Sequence, residues 1–192
     1  MKYRFYILLL AVLVGCDIFT TRDPETPDQS RSSYVDAFER ETVIQNLINA
    51  FADKNADDYL KSFSKLEFTN RPFQFVPSST ALARYLTIWN GWDISSEFQS
   101  FNNMINLVPD ELPVVLDLSK EPNSFSILGD SLRYTSEYFI SVPQGSGDPL
   151  IFEGNVEFSM ILDSRSIWVI YFWKDNAIGD KPSWSDLKGS LY

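Results

Sequence analysis

The first regular pattern along the chain is a helical repeat of apolar residues. Five of them stand at offsets 0, 1, 4, 5 and 8, the spacing of a single helical face. They are Val43, Ile44, Leu47, Ile48 and Phe51. The spacing predicts a helix that begins between Tyr34 and Glu41 and ends in a left-handed residue at Asn55. Asp57 and Asp58 then predict a second helix, because acidic side chains in a first turn favour the positive end of the helix dipole.

A second helical pattern follows a short extended piece at residues 73–77. Residues 80–107 are predicted to be mostly helical, with an interruption at Gly91 and Trp92. The clearest part begins at Ser95, where a new apolar face appears. Its predicted members are Phe98, Phe101, Met104, Ile105 and Val108.

From Pro113 onward the period changes to two, which predicts β-strands. The predicted inward faces are Val114, Leu116 and Leu118 in the first strand; Leu132, Tyr134, Tyr138, Ile140 and Val142 in the second; and Phe152, Val156, Phe158, Met160 and Leu162 in the third. Residues 143–149 contain two prolines and two glycines and predict a hairpin loop. Residues 167–173 are apolar on both faces, which is typical of a central or doubly covered strand.

The turn at residues 164–165 leaves two registers open. A two-residue loop pairs Asp163 with Ser166. The residues it places beside Phe158 and Met160 are Ile167, Val169, Tyr171 and Trp173. A loop one residue longer places Trp168, Ile170 and Phe172 there instead, because a shift of one residue reverses the face of every side chain.

Helices that precede an antiparallel sheet predict an α+β domain, with the helices packed on a curved sheet that forms an open cone. The stretches VIQNLINAFADKNADDYLKSF, FQFVP and IWVIYFWKDNAIGDKPSWSDLKGSL resemble the nuclear transport factor two-like, or cystatin-like, fold over residues 40–190. The resemblance implies a cone with a pocket. It does not imply one function, because proteins of that fold include isomerases, dehydratases, cyclases, epoxide hydrolases and non-catalytic binding domains. Another α+β sandwich is the alternative.

The N-terminus has the layout of a secretory signal peptide. Lys2 and Arg4 precede an uncharged run from residue 5 to residue 16, too short for the roughly 20 residues of a spanning helix. Its end, Leu-Val-Gly-Cys, resembles the bacterial lipobox, which implies cleavage between Gly15 and Cys16 and a diacylglycerol on the Cys16 sulfur. The predicted organisation is a signal peptide at 1–15, a lipidated cysteine and flexible tether at 16–38, and the domain at 39–192. The alternative is an ordinary signal peptide that ends in a chance cysteine.

The amino-acid composition excludes several kinds of catalytic and metal-binding site. The chain of 192 residues has one cysteine, no histidine and a net charge of −10, which becomes −12 once Lys2 and Arg4 leave with the signal peptide. One cysteine cannot form an intramolecular disulfide, and a Ser-His-Asp triad and a Cys/His zinc site each lack the histidine that they require. Nucleic acid is not an expected partner of so acidic a chain. The expected partner is a membrane, either the inner or the outer one. The protein is expected to be held there by its lipid, because an acidic surface gains nothing from anionic head groups.

No complete catalytic motif is present, and neither a cofactor nor a metal is expected. An isomerase of the ketosteroid type needs an Asp base near a Tyr. The acids and tyrosines that lie near one another in the predicted elements are Asp57, Asp58, Tyr59, Glu137, Tyr138 and Glu157. Asp57 and Asp58 also fit ordinary helix N-terminal acids, Glu153 and Glu157 fit a solvated sheet face, and the five tryptophans fit a core better than a ligand-stacking surface.

The predicted function is therefore a membrane-anchored, non-catalytic domain of the bacterial cell envelope. It is expected to bind an unknown small ligand or envelope protein, and a homodimer is compatible with it. The alternative is a carboxylate-based isomerase, dehydratase or hydrolase that acts on a small apolar molecule in the cone.

Overall fold

The computed structural model describes residues 31–192, and this part of the chain forms five helices and one five-stranded sheet. The helices are α1 (Arg40–Asp53), α2 (Ala56–Lys61), α3 (Ser79–Arg84), α4 (Ile94–Asn106) and α5 (Trp184–Leu191). The strands are β1 (Gln74–Val76), β2 (Val115–Leu128), β3 (Ser131–Val142), β4 (Leu150–Leu162) and β5 (Trp168–Ala177). The strand order is β1-β5-β4-β3-β2, with β1 parallel to β5 and the other pairs antiparallel. The helices pack on a curved, unclosed sheet, which confirms the predicted α+β class.

The first two helices occur where the periodicity predicts them. Four of the five predicted face residues of α1 are buried, and Ile48 is half-buried. The left-handed residue between the helices is Lys54, with φ of 52°, so the prediction of Asn55 was wrong by one position. Asn55 is extended because its side chain caps α2, where it accepts a hydrogen bond of 3.0 Å from the Asp58 backbone N–H.

The inward face of α4 differs from the prediction at one residue. Phe101, Met104 and Val108 are buried, but Phe98 is 39% exposed. The position inside the cone belongs to Glu97, which is 1% exposed. Glu97, Phe101 and Met104 stand at offsets of 0, 4 and 7, a better helical face than one that includes Phe98.

In β3 and β4 the predicted inward residues are buried, except Leu162. That residue is 49% exposed, and the alternation fails because residues 158–161 are all buried. The β4–β5 pairing contains a β-bulge that neither uniform register includes. Met160 pairs with Ile170 and Phe158 pairs with Trp173, so that Tyr171 is the extra residue. The longer-loop register therefore applies near the turn, and the bulge then brings Trp173 beside Phe158.

Residues 31–38, which the sequence assigns to the tether, lie along α1 in the opposite direction. The Val35 backbone N–H donates to Asn46 Oδ1 at 3.1 Å, and Asn46 Nδ2 donates to the Val35 carbonyl at 2.7 Å. Asn55 Nδ2 donates to the Arg31 carbonyl at 3.0 Å. Ala37 is buried, and its carbonyl accepts from the Trp168 N–H at 2.8 Å. We call residues 31–38 the N-terminal strap.

Gly154 allows a β3 side chain and the β5 backbone to approach the middle of β4. It pairs with Tyr138, and a Cβ there would meet the Tyr138 hydroxyl and lie 2.6 Å from the Asn176 carbonyl oxygen. We expect Gly154→Ala to lower the free energy of unfolding by about 1–3 kcal/mol through overpacking. Urea denaturation measures it, with Gly145→Ala, whose Cβ meets nothing within 4 Å, as the control. Equal midpoints for the two variants would contradict this account of Gly154.

Candidate functional site

The interior of the cone is filled by the C-terminal helix. α5 packs against α3, α4 and β4 and places Trp184 between the helical layer and the sheet. The cavity that remains between Tyr59, Glu97, Trp184 and Lys188 has a volume of about 10 Å³. A volume of that size holds about one water molecule, so there is no room for a substrate beside Glu97.

A buried carboxylate, that of Glu97, lies at the centre of this interior. Its Oε2 accepts a hydrogen bond of 2.8 Å from the Tyr59 hydroxyl. Its Oε1 accepts from Trp92 Nε1 at 2.6 Å and from the Lys188 ammonium at 2.5 Å. Glu97 and Lys188 are 1% and 3% exposed. Both carboxylate oxygens are therefore paired within the protein.

The Lys188 ammonium also faces three aromatic rings. Its Nζ lies 3.4 Å from the Trp173 ring centroid, 3.8 Å from that of Phe75 and 5.8 Å from that of Trp92. Each distance falls within the range of a cation–π interaction, which is stronger where the cation is desolvated. Burial lowers the pKa of Lys188 from 10.5 to about 8, although the nearby Glu97 and Asp175 carboxylates act in the opposite direction.

This depressed pKa predicts a rise in stability between about pH 8 and pH 10. The unfolded lysine keeps its proton up to about pH 10.5, whereas the folded one releases it near pH 8. The unfolded state then binds more protons, so the free energy of unfolding increases with pH. Burial raises the pKa of Tyr59 and of Tyr138 well above 10, and these two groups reverse the trend at higher pH. Urea denaturation across this range measures the rise, and Lys188→Met should remove it. An unchanged profile in Lys188→Met would contradict the assignment.

A second buried network fixes the start of α5. Asp175 Oδ1 accepts from the Tyr138 hydroxyl at 2.7 Å, and its Oδ2 accepts from the Ser185 N–H at 2.8 Å and from Ser185 Oγ at 2.5 Å. The Tyr138 hydroxyl in turn accepts from the Trp184 N–H at 2.7 Å. Ser183 and Asp186 form a capping box at the same helix end. Because these groups bind one another, the network fixes the position of Trp184.

The structure separates the residues that the sequence suggested for catalysis. Tyr59 and Tyr138 each contact a carboxylate, but the acids are Glu97 and Asp175. Asp57 is exposed in the first turn of α2, and Asp58 pairs with Lys61 at 2.7 Å. Glu137, Glu153 and Glu157 are half-buried outside the cone network, where Glu157 pairs with Arg133 at 3.2 Å and Glu153 pairs with Lys181.

Sequence reasoning missed Glu97, Asp175 and Lys188. The available signal for Glu97 was its helical spacing to Phe101 and Met104, and for Lys188 it was its position one turn after Trp184. The tryptophans behave as predicted for core residues. Trp92, Trp173 and Trp184 are buried, and Trp89 and Trp168 are half-buried.

The predicted lipidation site, Gly15 and Cys16, lies outside the described residues, and its modification stays a prediction. Among residues 31–192, no helix has both the length and the apolar character needed to cross a bilayer. The same residues contain no group of three or more His, Cys, Asp or Glu side chains placed to hold a metal ion.

Comparison with known proteins supports the fold and nothing narrower. No family model matches the chain, and neither does any curated protein. A provisionally assigned dehydratase of the nuclear transport factor two-like family from Streptomyces avermitilis aligns with a TM-score of 0.54 at 9% identity, over 72% of this chain and 93% of that one. A provisionally assigned aromatic ring hydroxylase from Novosphingobium aromaticivorans aligns with a TM-score of 0.54 at 11% identity, over 77% and 92%.

A third solved structure of the same shape is a provisionally assigned calcium/calmodulin-dependent protein kinase II association domain from Xanthomonas campestris. It aligns with a TM-score of 0.53 at 10% identity, over 73% of this chain and 86% of that one. Identities of this size establish the fold alone. The chain has the nuclear transport factor two-like fold, the cone-shaped domain that its sequence resembles.

Proposed function

We propose that this protein is a lipid-anchored domain of the bacterial cell envelope that binds a ligand or partner without catalysis. The observation that carries the proposal is the complete pairing of Glu97 inside the cone. Tyr59, Trp92 and Lys188 take up both of its oxygens, and the adjoining cavity of about 10 Å³ holds no substrate. A general base must lie within hydrogen-bond reach of the proton that it abstracts, and here protein groups occupy that position.

The absence of catalysis can be tested with substrates that the enzymes of this fold would accept. The full-length protein, purified in a neutral detergent, is incubated with a panel of small apolar epoxides, β-hydroxy acids and unsaturated ketones. We expect the same rates with the wild type, with Glu97→Gln and without protein. Turnover that Glu97→Gln abolishes and Glu157→Gln preserves would overturn the proposal.

A carboxylate-based enzyme is the second candidate, and one observation favours it. Glu97 lies 2.8 Å from the Tyr59 hydroxyl deep in the cone, and an acid beside a tyrosine is the arrangement that such an isomerase or dehydratase requires. Two of the compared proteins carry the names of a dehydratase and a ring hydroxylase, which is compatible with this candidate. It requires α5 to move, because Lys188 and Trp184 occupy the space that a substrate needs.

Lipid anchoring is tested separately at Cys16. We expect Cys16→Ser to abolish the diacylglycerol mass, to leave residues 1–15 uncleaved and to change the membrane fractionation of the protein. Thr20→Ser, a substitution in the predicted tether, is the control that should behave as the wild type. The wild type should stay in the membrane fraction in 1 M salt, because screening removes electrostatic attachment and leaves lipid attachment. Mass spectrometry and fractionation measure both effects. A Cys16→Ser protein whose mass differs from that of the wild type only by the exchange of sulfur for oxygen would exclude lipidation there.

A further inference from the structure

The surroundings of Lys188 Nζ form a site in their own right. Three aromatic rings and one carboxylate converge on this atom from different parts of the chain. Phe75 comes from β1, Trp92 from the segment before α4, Trp173 from β5 and Glu97 from α4. We call these four residues the aromatic cage.

The chemistry of the aromatic cage matches an organic ammonium ion. Ring faces attract a cation through their quadrupoles, and the carboxylate supplies one charge-assisted hydrogen bond. A guanidinium fits less well, because it prefers to bind both oxygens of a carboxylate and Tyr59 already occupies Glu97 Oε2. The site therefore favours a compact ammonium group on a narrow alkyl chain.

Stability alone gives little reason for such a pair to lie in a core. A buried ion pair is commonly no more stable than well-packed apolar residues of similar volume. Trp173 and Phe75 are themselves buried, so they could pack against an apolar side chain at position 188. The arrangement is explained if the cone is built to hold an ammonium ion.

We propose that the aromatic cage is a binding site for a primary alkylammonium ligand, and that Lys188 is its intramolecular occupant in this structure. The proposal rests on the proposed binding function and names the ligand class for it. A free ligand of this class enters as Lys188 withdraws, and it takes over the hydrogen bond to Glu97 and the contacts with the rings.

The test removes the Lys188 side chain beyond its Cβ and supplies the removed atoms as a separate small molecule. In Lys188→Ala the lost fragment is a propyl chain with its ammonium group, so the probe is n-propylammonium chloride at constant ionic strength. We expect a saturable rise in the Tm of Lys188→Ala, of roughly 3–6 °C at ten times the Kd, together with a change in tryptophan fluorescence. The full-length chain in a neutral detergent is used throughout.

Matched controls separate cation binding from the filling of a cavity. The neutral 1-propanol should not reproduce the rise, and Lys188→Met, which keeps an uncharged chain in the cage, should not respond to propylammonium. Adding Glu97→Gln to Lys188→Ala should weaken the response at least tenfold. If Lys188→Ala does not fold alone, its refolding yield with propylammonium against propanol replaces the Tm.

A rise that 1-propanol equals, or a wild type whose Tm does not respond to propylammonium, would overturn the aromatic cage as a site for an ammonium ligand, because the proposed ligand must displace Lys188. Either result would leave the proposed function standing, because that is decided by the substrate panel and by the Cys16 fractionation. Conversely, turnover that depends on Glu97 would overturn the proposed function even with a normal propylammonium response.

Discussion

Replacing Glu97 with alanine is expected to lower the free energy of unfolding by about 3–5 kcal/mol, because it leaves a buried ammonium without its counter-ion. The Tyr59 hydroxyl and the Trp92 N–H lose their acceptor in the same step, since both donate to this carboxylate. Water has little access to replace it, because Lys188 is 3% exposed. Urea denaturation at pH 7 measures the loss.

Two further variants define the origin of this loss. Glu157→Ala removes an acid from the sheet surface and should cost at most about 1 kcal/mol, because its pair with Arg133 is partly solvated. Glu97→Leu combined with Lys188→Met removes both charges and should recover the part of the loss that comes from the unpaired ammonium. The Tyr59 hydroxyl and the Trp92 N–H still lack their acceptor in this variant. A loss in Glu97→Ala no larger than that in Glu157→Ala would show that the ion pair is not buried as described.

Replacing Trp184 with alanine should destabilise the protein by a similar amount, about 3–5 kcal/mol. The ring is 2% exposed, and its centroid lies 4.5 Å from that of Trp173 and 5.4 Å from those of Phe51 and Tyr138. Its loss enlarges the small cavity in the cone, and the surrounding rings belong to three different elements that cannot all collapse into the space.

The measurement is again urea denaturation, with the slope m compared between variants. Trp168→Ala is the matched control, because Trp168 is half-buried and should cost less. A similar midpoint for the two tryptophan variants would contradict the central position of Trp184. A changed m would instead indicate that the variant alters the compactness of its native or denatured state, or that it no longer unfolds in two states.

The fold follows from the sequence wherever one face of an element is buried. The helical period of α1 and the alternation along β3 each require a single buried face, and both were predicted correctly. The errors lie where that condition fails. Leu162 ends a stretch that is buried on both faces, and the bulge at Tyr171 depends on how β4 and β5 pack together. The local periodicity of the sequence shows neither the burial on both faces nor the bulge.

The site was harder to predict because its charged members occupy positions that the pattern reserves for apolar side chains. The predicted face of α4 contained Phe98 and not Glu97, whereas Glu97 is the buried residue of the two. Lys188, 91 residues away, supplies the counter-charge for the buried Glu97. That pairing is a property of the tertiary structure, and neither helix shows it alone.

The N-terminal strap has a mechanical consequence. Its contacts follow one another along α1 and the residue that caps α2, from Arg31 at Asn55, through Ser33 at Asp53, to Val35 at Asn46. Tension applied at Arg31 therefore pulls on these hydrogen bonds in parallel with α1. The bonds share the force, and they do not break one at a time. If Cys16 is anchored in the lipid, as proposed, the fifteen residues from there to Arg31 span roughly 50 Å at most. The strap would then bear forces that act on the membrane anchor, before these forces reach the packed elements of the cone.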